Sequence, residues 1–513
     1  MDQVTRKCYE QAKEARSQHE SEISEAYLYT FPNRDIWRTQ EGQTDRTKLF
    51  DATATDSTQN LVSTILTLLI PQNQQWAYID VRDDRKQKVA YDIKKILDQA
   101  NKTVFKTLRD SNFYTAAAEA LTDSVIAGTG AMALYNREGG GIDFAAIPTN
   151  QLYFLTEYND KIETVFREHK VSVQYAFEKY GAFDSQIEKQ ATESPHSKID
   201  LIECVMRKTN QPLMYKVYAG KKKVEVQCDE VPVSPFVVFR FGKTLGETWG
   251  ESPVRQALPH IRTVNEIASL ILTHNSFAGL GAWMVSSDTT VNYSNMKIRP
   301  GEVITVDQPL QPIPNAGNFQ MSQINLEDQR ANIRRQLFND AMQPLSAGPS
   351  YMTAAEVQYR QAEFFRRIGP YGLRLEQEFL RPLIRALVIK LIKQGTVPEF
   401  VVDNSTFEFV VNSTVKKGIA MQELQKDMQI LGVLAQLGPE AMVNVDLNKM
   451  ARKLLRDGDM TPEVVRTEEE VVKILEQQKQ QMQLNEITEQ VNEAINQSPN
   501  AQQIPTAPTP PTQ

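Results

Sequence analysis

The chain has 513 residues, of which 41% are hydrophobic, so it can bury sizeable cores and is not a disordered protein. It carries 57 Lys and Arg against 64 Asp and Glu, a net charge of -7, which argues against a protein that binds phosphates tightly. Cys8, Cys204 and Cys228 form no CxxC pair, so we expect neither a disulfide framework nor a zinc site, and a reducing cytoplasm fits best.

The sequence predicts no contact with a membrane. The first charged residues, Asp2, Arg6 and Lys7, follow no signal-peptide pattern. The most apolar run, Leu61 to Ile70, is about half as long as the roughly twenty residues that a helix needs to cross a bilayer. We therefore interpret this run as part of a buried helix.

The first half of the chain is predicted to be an α+β body. Helical spacing with proline stops predicts helices over 3–31, 56–71, 84–109 and 116–125, the second capped by Asp56-Ser-Thr-Gln59. Strand patterns follow over 132–135, 142–147, 151–155, 162–171, 199–207, 213–219, 224–228 and 236–241, with a helix over 173–180. Lys221, Lys222 and Lys223 lie between two of these strands, either as a basic tip that meets nucleic acid or, as we favour, as a solvated turn.

Two long helices are predicted in the middle of the chain. Ser252 can cap the first and Pro253 fits its first position, and apolar residues then recur at steps of three and four for about 40 Å. A module rich in turn formers follows, with a strand over 302–306. A returning helix is predicted to begin near Asn325, with Leu326, Ile333, Leu337 and Ala341 on the side that faces the first helix.

Helices also dominate the C-terminal part of the prediction. After a loop over 343–350, the capping box Thr353-Ala-Ala-Glu356 starts a long helix that Gly369-Pro370 should kink. Residues 397–411 alternate as a strand does, and the chain is helical again from Lys416. The amphipathic stretch over 468–495 either pairs with neighbouring subunits or packs on its own domain. Residues 496–513 contain five prolines and no charge, which predicts disorder.

No catalytic or cofactor motif stands out. Gly128-Thr-Gly130 lacks the third glycine of a dinucleotide-binding loop and precedes a strand, and no GxxxxGK[ST] occurs. The five histidines show no HExxH pattern; His260 and His274 can share a helix face, where packing is a commoner role than metal binding. We therefore predict no enzyme activity, no cofactor and no metal site.

Four patches carry a resemblance to a known family: Gly246-Glu-Thr-Trp-Gly-Glu-Ser-Pro253, Met352-Thr-Ala-Ala-Glu-Val-Gln-Tyr359, Asp123-Ser-Val-Ile-Ala-Gly-Thr-Gly130, and Leu61 to Pro71 with Trp76 beyond it. In these patches, in their order and in its length, the chain resembles the portal, or head-to-tail connector, proteins of short-tailed, podovirus-type bacteriophages. The resemblance covers roughly residues 10 to 490.

The resemblance implies an α+β, largely helical portal fold with wing, stem, clip and crown regions, assembled as a ring of usually twelve subunits around a DNA channel. The regions would be a wing and core body (1–251), a first stem helix (252–281), a clip (282–323), a second stem helix (324–343), a channel loop (344–352), a long wing helix with strands (353–415), a helical crown (416–495) and a disordered tail (496–513).

The resemblance also implies partners. The ring would sit at one vertex of the capsid in the virion, made in the host bacterial cytoplasm, and contact the major capsid protein, scaffold and internal core proteins. The terminase packaging motor and later the tail adaptor and tail proteins would bind at the clip, through Tyr293, Met296, Lys297 and Arg299. Double-stranded DNA would pass through the channel without sequence preference.

Two sets of residues are candidates for the channel. The loop that faces it in this family corresponds to Gln343, Pro344, Leu345, Ser346, Ala347, Gly348, Pro349, Ser350 and Tyr351, and it has no charge. An uncharged loop can touch DNA sterically without counterion release. Arg330, Arg334 and Arg335 are the candidates for basic rings in the stem, although salt bridges between adjacent subunits are the role we favour.

The alternative function is another oligomeric virion structural protein, such as a tail adaptor or an internal scaffold. Adaptors are usually much shorter, and the order of helix, β-module, helix, loop and helix favours the portal. A cytoplasmic enzyme is the third hypothesis, and it lacks a site.

Overall fold

The computed structural model describes residues 1–32, 49–72, 74–81, 91–137, 140–157, 160–183, 187–207, 212–280, 283–284, 311–312, 319–340, 354–398 and 407–411, together with separate short pieces between 426 and 488. The chain divides into two units, Met1–Gly418 and Ile419–Gln513. In the second unit the described residues over 426–434 are helical. All the elements named below belong to the first unit.

The described helices and strands alternate in blocks along the first unit. The helices are α1 (Gln3–Thr30), α2 (Thr53–Leu69), α3 (Tyr91–Asp110), α4 (Phe113–Ala127), α5 (Val173–Tyr180), α6 (Ile187–Glu193), α7 (Pro253–Leu280), α8 (Phe319–Gln336), α9 (Ala354–Leu375), a π turn (Glu376–Leu380) and α10 (Arg381–Lys393). The strands are β1 (Ala77–Val81), β2 (Thr129–Asn136), β3 (Ile142–Ala146), β4 (Leu152–Thr156), β5 (Ile162–Ser172), β6 (Lys198–Arg207), β7 (Leu213–Ala219), β8 (Val224–Val231), β9 (Phe236–Arg240), β10 (Trp283–Met284), β11 (Gln311–Pro312) and β12 (Phe407–Val411).

Most strands pair with their neighbours in sequence. Two pairings, β2 with β9 and β1 with β12, join distant parts of the chain. A five-stranded antiparallel sheet has the order β4-β5-β6-β7-β8, and a three-stranded sheet has the order β3-β2-β9. β1 pairs antiparallel with β12, so that Ala77 lies opposite Val411. β10 pairs with β11 just beyond the two long helices. The mixture of helix and sheet agrees with the α+β, largely helical class expected from the sequence.

The main core is built around α4, which is buried over almost its whole length. Its residues Ala117, Ala120, Val125 and Ile126 are inaccessible to solvent, which small side chains permit because neighbouring helices and β2 can approach closely. A second core lies between α1 and the five-stranded sheet, where Tyr9 makes edge contacts with Tyr153 and Phe166. α1 therefore covers one face of that sheet.

Several predicted helices begin or end elsewhere in the structure. α2 begins at Thr53, so Asp56 lies in its first turn and does not cap it; instead the carboxylate of Asp51 accepts a hydrogen bond from the Thr53 amide. α8 begins at Phe319 rather than near Asn325, and ends at Gln336 rather than Gln343. It ends there because Phe338 adopts a left-handed backbone (φ 57°) and the Asn339 amide bonds back to the Arg334 carbonyl.

The helix that begins at Ala354 ends in a change of hydrogen bonding that the sequence did not predict. α9 contains Pro370 and continues for five further residues, and the change in hydrogen bonding comes at the π turn over Glu376–Leu380. β1 and α6 were not predicted, because the first is short and the second is polar. Of the residues predicted to line the returning helix, Leu326, Ile333 and Leu337 are buried.

Candidate functional site

α7 and α8 pack against each other and form what we call the arm. Close to the body α7 buries Val254, Ala257 and Ile261, whereas farther along Leu270 and Leu272 are exposed. His260 Nδ1 lies 2.6 Å from Gln329 Oε1 and links the two helices. The arm is thus held by the body at one end and is open to solvent at the other.

Ser252 fixes the start of the arm from two sides. Its hydroxyl accepts a hydrogen bond from the Arg255 amide at 3.0 Å, which caps the N-terminus of α7 as the sequence predicted. The same hydroxyl donates to the carbonyls of Val125 and Ile126 at 2.6 and 2.8 Å. Those carbonyls belong to the last turn of α4, whose terminal acceptors lack partners within the helix. One buried side chain therefore joins the ends of two helices.

Two glycines allow the backbone at the end of α4 to lie directly against the backbone of the segment before α7. Gly128 ends α4 in the left-handed conformation, with φ 88°, and faces Gly250. A Cβ atom built on Gly250 would lie 2.0 Å from the Gly128 carbonyl oxygen, and one on Gly128 would lie 2.2 Å from the Gly250 oxygen. The Gly250 amide also donates to Thr129 Oγ1 at 3.0 Å. We call Gly128, Thr129 and Gly242–Ser252 the base of the arm.

A buried ion pair connects the end of β9, just before the base, to the π turn. The Arg240 side chain is only 2% exposed, and it donates to both oxygens of Glu378 at 3.0 and 2.8 Å and to the Asp160 carbonyl at 2.9 Å. Its neighbour Phe239 stacks on Phe379, with ring centroids 4.3 Å apart. A paired and fully hydrogen-bonded arginine is the form in which a charge can be buried without a large penalty.

Further ion pairs hold the arm to the rest of the body. Arg255 and Arg262 of α7 pair with Glu22 and Glu25 of α1. On α8, Arg330 donates to Asp51 Oδ2 at 2.9 and 2.6 Å and also to Glu327. Burial raises the pKa of Asp51, but the hydrogen bonds from Thr53 and Arg330 outweigh it, and the pKa lies below its ordinary value of 3.8.

The structure places the predicted stem arginines in different settings. Arg330 is bound to Asp51 and Glu327 within its own chain, Arg334 is half-buried and Arg335 is exposed. The other candidate site residues lie outside the described residues. They are the clip candidates Tyr293, Met296, Lys297 and Arg299 and the channel-loop candidates Gln343, Pro344, Leu345, Ser346, Ala347, Gly348, Pro349, Ser350 and Tyr351.

Two of the four patches that carry the family resemblance meet at the base. Asp123 to Gly130 provides the end of α4 and the start of β2, and Gly246 to Pro253 provides the segment that enters α7. Sequence reasoning did not predict this contact or the Arg240–Glu378 pair. Arg240 itself could have indicated the ion pair, because a charged residue in the apolar run 236–241 requires a buried partner.

The described residues contain no arrangement that suggests catalysis. Among them no group of three or more His, Cys, Asp or Glu side chains is placed to hold a metal ion. No helix of the described part has the length and apolar character needed to cross a membrane. The described residues form a pair of long helices that is anchored at one end on an α+β body.

Comparison with known proteins identifies its family. The family model of bacteriophage head to tail connecting proteins matches residues 3–465, and the chain belongs to that family. It is 20% identical over 519 aligned residues to the portal protein of Salmonella phage epsilon15, covering 92% of this chain and 90% of the relative. It is 25% identical over 259 residues to the probable portal protein of Bordetella phage BPP-1, covering 46% of this chain and about half (45%) of the relative. The portal-type identification made from the sequence is confirmed, and this family is a structural, non-enzymatic one.

Proposed function

We propose that copies of the chain assemble into a closed ring of about twelve subunits at one vertex of the capsid, with a central channel through which DNA enters and later leaves. The anchored arm carries this proposal, because a pair of long helices fixed at one end can be repeated around an axis to line a channel. The match along 92% of the chain to a protein named as a portal supports it.

The arm, apart from residues 319–323 at the start of α8, is the proposed stem, and the regions on either side follow from it. Residues 282–323 would form the clip, where the terminase motor docks during packaging and tail proteins dock afterwards, with Tyr293, Met296, Lys297 and Arg299 as contacts. The α+β body would form the wing, beside the capsid, scaffold and core proteins. Residues 416–495 would form the crown. The finished protein is a virion component, made in the cytoplasm of the bacterial host.

The proposed channel surface is one that DNA slides along. Residues 343–351 have no charge, so they touch DNA without gaining the counterion-release free energy that basic residues supply. Because Arg330 is paired within its own chain, Arg334 and Arg335 are the better candidates for pairs with an adjacent subunit or for a basic ring.

Electron microscopy of the purified recombinant protein tests the proposal directly. We expect negative-stain top views to show closed rings with a central hole and rotational symmetry near twelve-fold. Mass photometry of the same sample should show one dominant assembly whose mass is a multiple of the 58.2 kDa subunit. Monomers or small compact oligomers at several salt concentrations would contradict the proposal, whereas an open or mixed assembly would favour an adaptor or scaffold.

A further inference from the structure

Leu245 is the most exposed of the large apolar side chains in the described part of the chain, at 92%. It lies on a turn of the base that is closed by paired backbone hydrogen bonds between Gly242 and Glu251, at 3.1 and 2.9 Å. Thr244 Oγ1 donates to Glu251 Oε2 at 2.8 Å and tightens the same turn. An apolar group on an already ordered turn loses little entropy when a partner covers it.

Leu245 stands at the rim of a cleft of about 780 Å³. The cleft lies between the start of β5, the end of β6, β9 with the segment before it, and the π turn. Its basic residues are Lys161, Arg207, Arg240, Lys243, Arg374 and Arg385, and its acidic residues are Asp160, Glu163 and Glu378. The cleft has a net charge of +3. Since the whole chain has a net charge of -7, the remainder of the chain carries -10.

Three cationic side chains of the cleft already have ion-pair partners within it. Arg240 and Arg374 bind Glu378, and Lys243 pairs with Asp160. Arg207 and Arg385 at the mouth are exposed and have no ion-pair partner among the described residues. One residue before Arg374, Leu373 is a further exposed leucine, at 53%. The cleft therefore presents two guanidinium groups that have no ion-pair partner in the described part of the chain, together with the exposed side chain of Leu245.

We propose that this cleft, with Leu245 at its rim, binds an acidic surface of a second copy of the chain and so forms part of the contact between adjacent subunits. The inference deepens the proposed ring and rests on it. Charge complementarity supports the choice of partner, because the cleft has a net charge of +3 and the rest of each chain has a net charge of -10. Since the cleft of one copy meets a different surface on the next, the contact is heterologous, which is the type that closes into rings.

The composition of the cleft favours protein over DNA as the occupant. Apolar residues, among them Leu213, Val233 and Phe236, line it beside the arginines. Exposed arginine with apolar contact area is typical of protein interfaces. Contacts of DNA phosphates with Arg207 and Arg385 alone would release few counterions, so they would add little affinity.

The test combines charge reversal with an apolar-to-acidic change in the full chain. Arg207→Glu/Arg385→Glu and Leu245→Asp should each raise by about tenfold or more the protein concentration at which half of the chains are in assemblies, as judged by mass photometry. The matched controls are Lys7→Glu/Lys13→Glu and Val4→Asp on α1, which also change exposed residues and should leave that concentration unchanged. Circular dichroism melting must show that the variants fold.

A photo-crosslinking residue in place of Leu245 gives a second, independent measurement. Intermolecular crosslinks to acidic segments, found by mass spectrometry, support the inference even if the wild-type assembly is not a ring, in which case only the proposed function fails. Rings that form normally in folded Arg207→Glu/Arg385→Glu and Leu245→Asp variants, without crosslinks at this position, would overturn the inference. Normal assembly of the charge-reversed variant with loss of DNA retention would also overturn it, in favour of a phosphate ligand.

Discussion

At Gly250 and Gly128, the Cβ atom of any other residue would clash with the opposite backbone at the base of the arm. Their backbones are so close that no side chain fits between them, because the obstructing atoms are carbonyl groups that cannot rotate away. At Gly128 the positive φ adds a second reason for glycine. The two residues allow α4 to end where α7 begins.

Replacing Gly250 by alanine should therefore destabilise the subunit by about 3 kcal/mol or more, since the added methyl group forces α4 and the base apart. Gly369→Ala is the matched control, because a Cβ there meets nothing within 4 Å and alanine favours the helix. Urea unfolding at a fixed protein concentration measures the free energy of unfolding of both variants. Equal stabilities of the two variants would show that the base tolerates expansion.

Ser252 illustrates what local sequence can and cannot predict at this scale. Its role as the cap of α7 follows from Ser252-Pro253 before a helical pattern, since capping involves residues three positions apart. Its hydrogen bonds to Val125 and Ile126 join residues 127 and 126 positions apart in the sequence. No local pattern encodes such a pairing, so it could be found only in the structure.

Among the elements, those with a strong local period were predicted best. The helix over Val173–Tyr180 and the strand over Leu213–Ala219 have the predicted bounds. The starts of α2 and α8 were misplaced because their first turns, Thr53-Ala-Thr and Phe319-Gln-Met, lack a clear cap or period. β1 was missed because it is short and pairs with a strand far away in the sequence, β12.

The contact of Arg330 with Asp51 joins α8 to the residues before α2. At pH 7, Asp51→Asn should cost about 1–3 kcal/mol of stability, because it removes a charge-assisted hydrogen bond to a half-buried arginine. The folded-state pKa of Asp51 is lowered, so its contribution is full above the unfolded pKa and is lost as pH falls through the folded value.

The difference in the free energy of unfolding between wild type and Asp51→Asn should accordingly become smaller below about pH 4. Thermal or urea unfolding at a series of pH values measures this difference. Glu327→Gln provides the control, because Glu327 binds the same arginine but is 57% exposed. Its effect at pH 7 should be smaller. A pH-independent difference for Asp51→Asn would rule out the ion pair as the cause.

At the scale of the whole molecule, the proposed sliding contact with DNA can be tested through residues 343–351. Ser346→Lys/Ala347→Lys places about two positive charges per subunit in a segment that has none, which would create phosphate contacts around the channel. We expect an in vitro packaging assay with these rings to slow or stall, with relief at higher salt. Ser346→Gln/Ala347→Gln controls for size, and unchanged packaging by the lysine variant would contradict exposure to the channel.

The family of the whole chain was predictable from scattered patches, but the exact number of subunits and the residues that face the channel were not. The reason is physical: an acidic chain with polar residues on both faces of its long helices does not indicate which face meets a neighbour. The cleft beside Leu245 depends on residues from β5, β6, β9 and the π turn, which only the fold brings together.

The pairing of β1 with β12 also bears on how the protein is made. Ala77 and Val411 are 334 positions apart, so at roughly 5–20 residues per second a ribosome needs on the order of half a minute to deliver the second strand after the first. During that interval β1 has no β12 beside it, and the first unit is incomplete. A chain released before residue 407 can never supply that strand. Completion of the first unit thus requires that translation has passed residue 407.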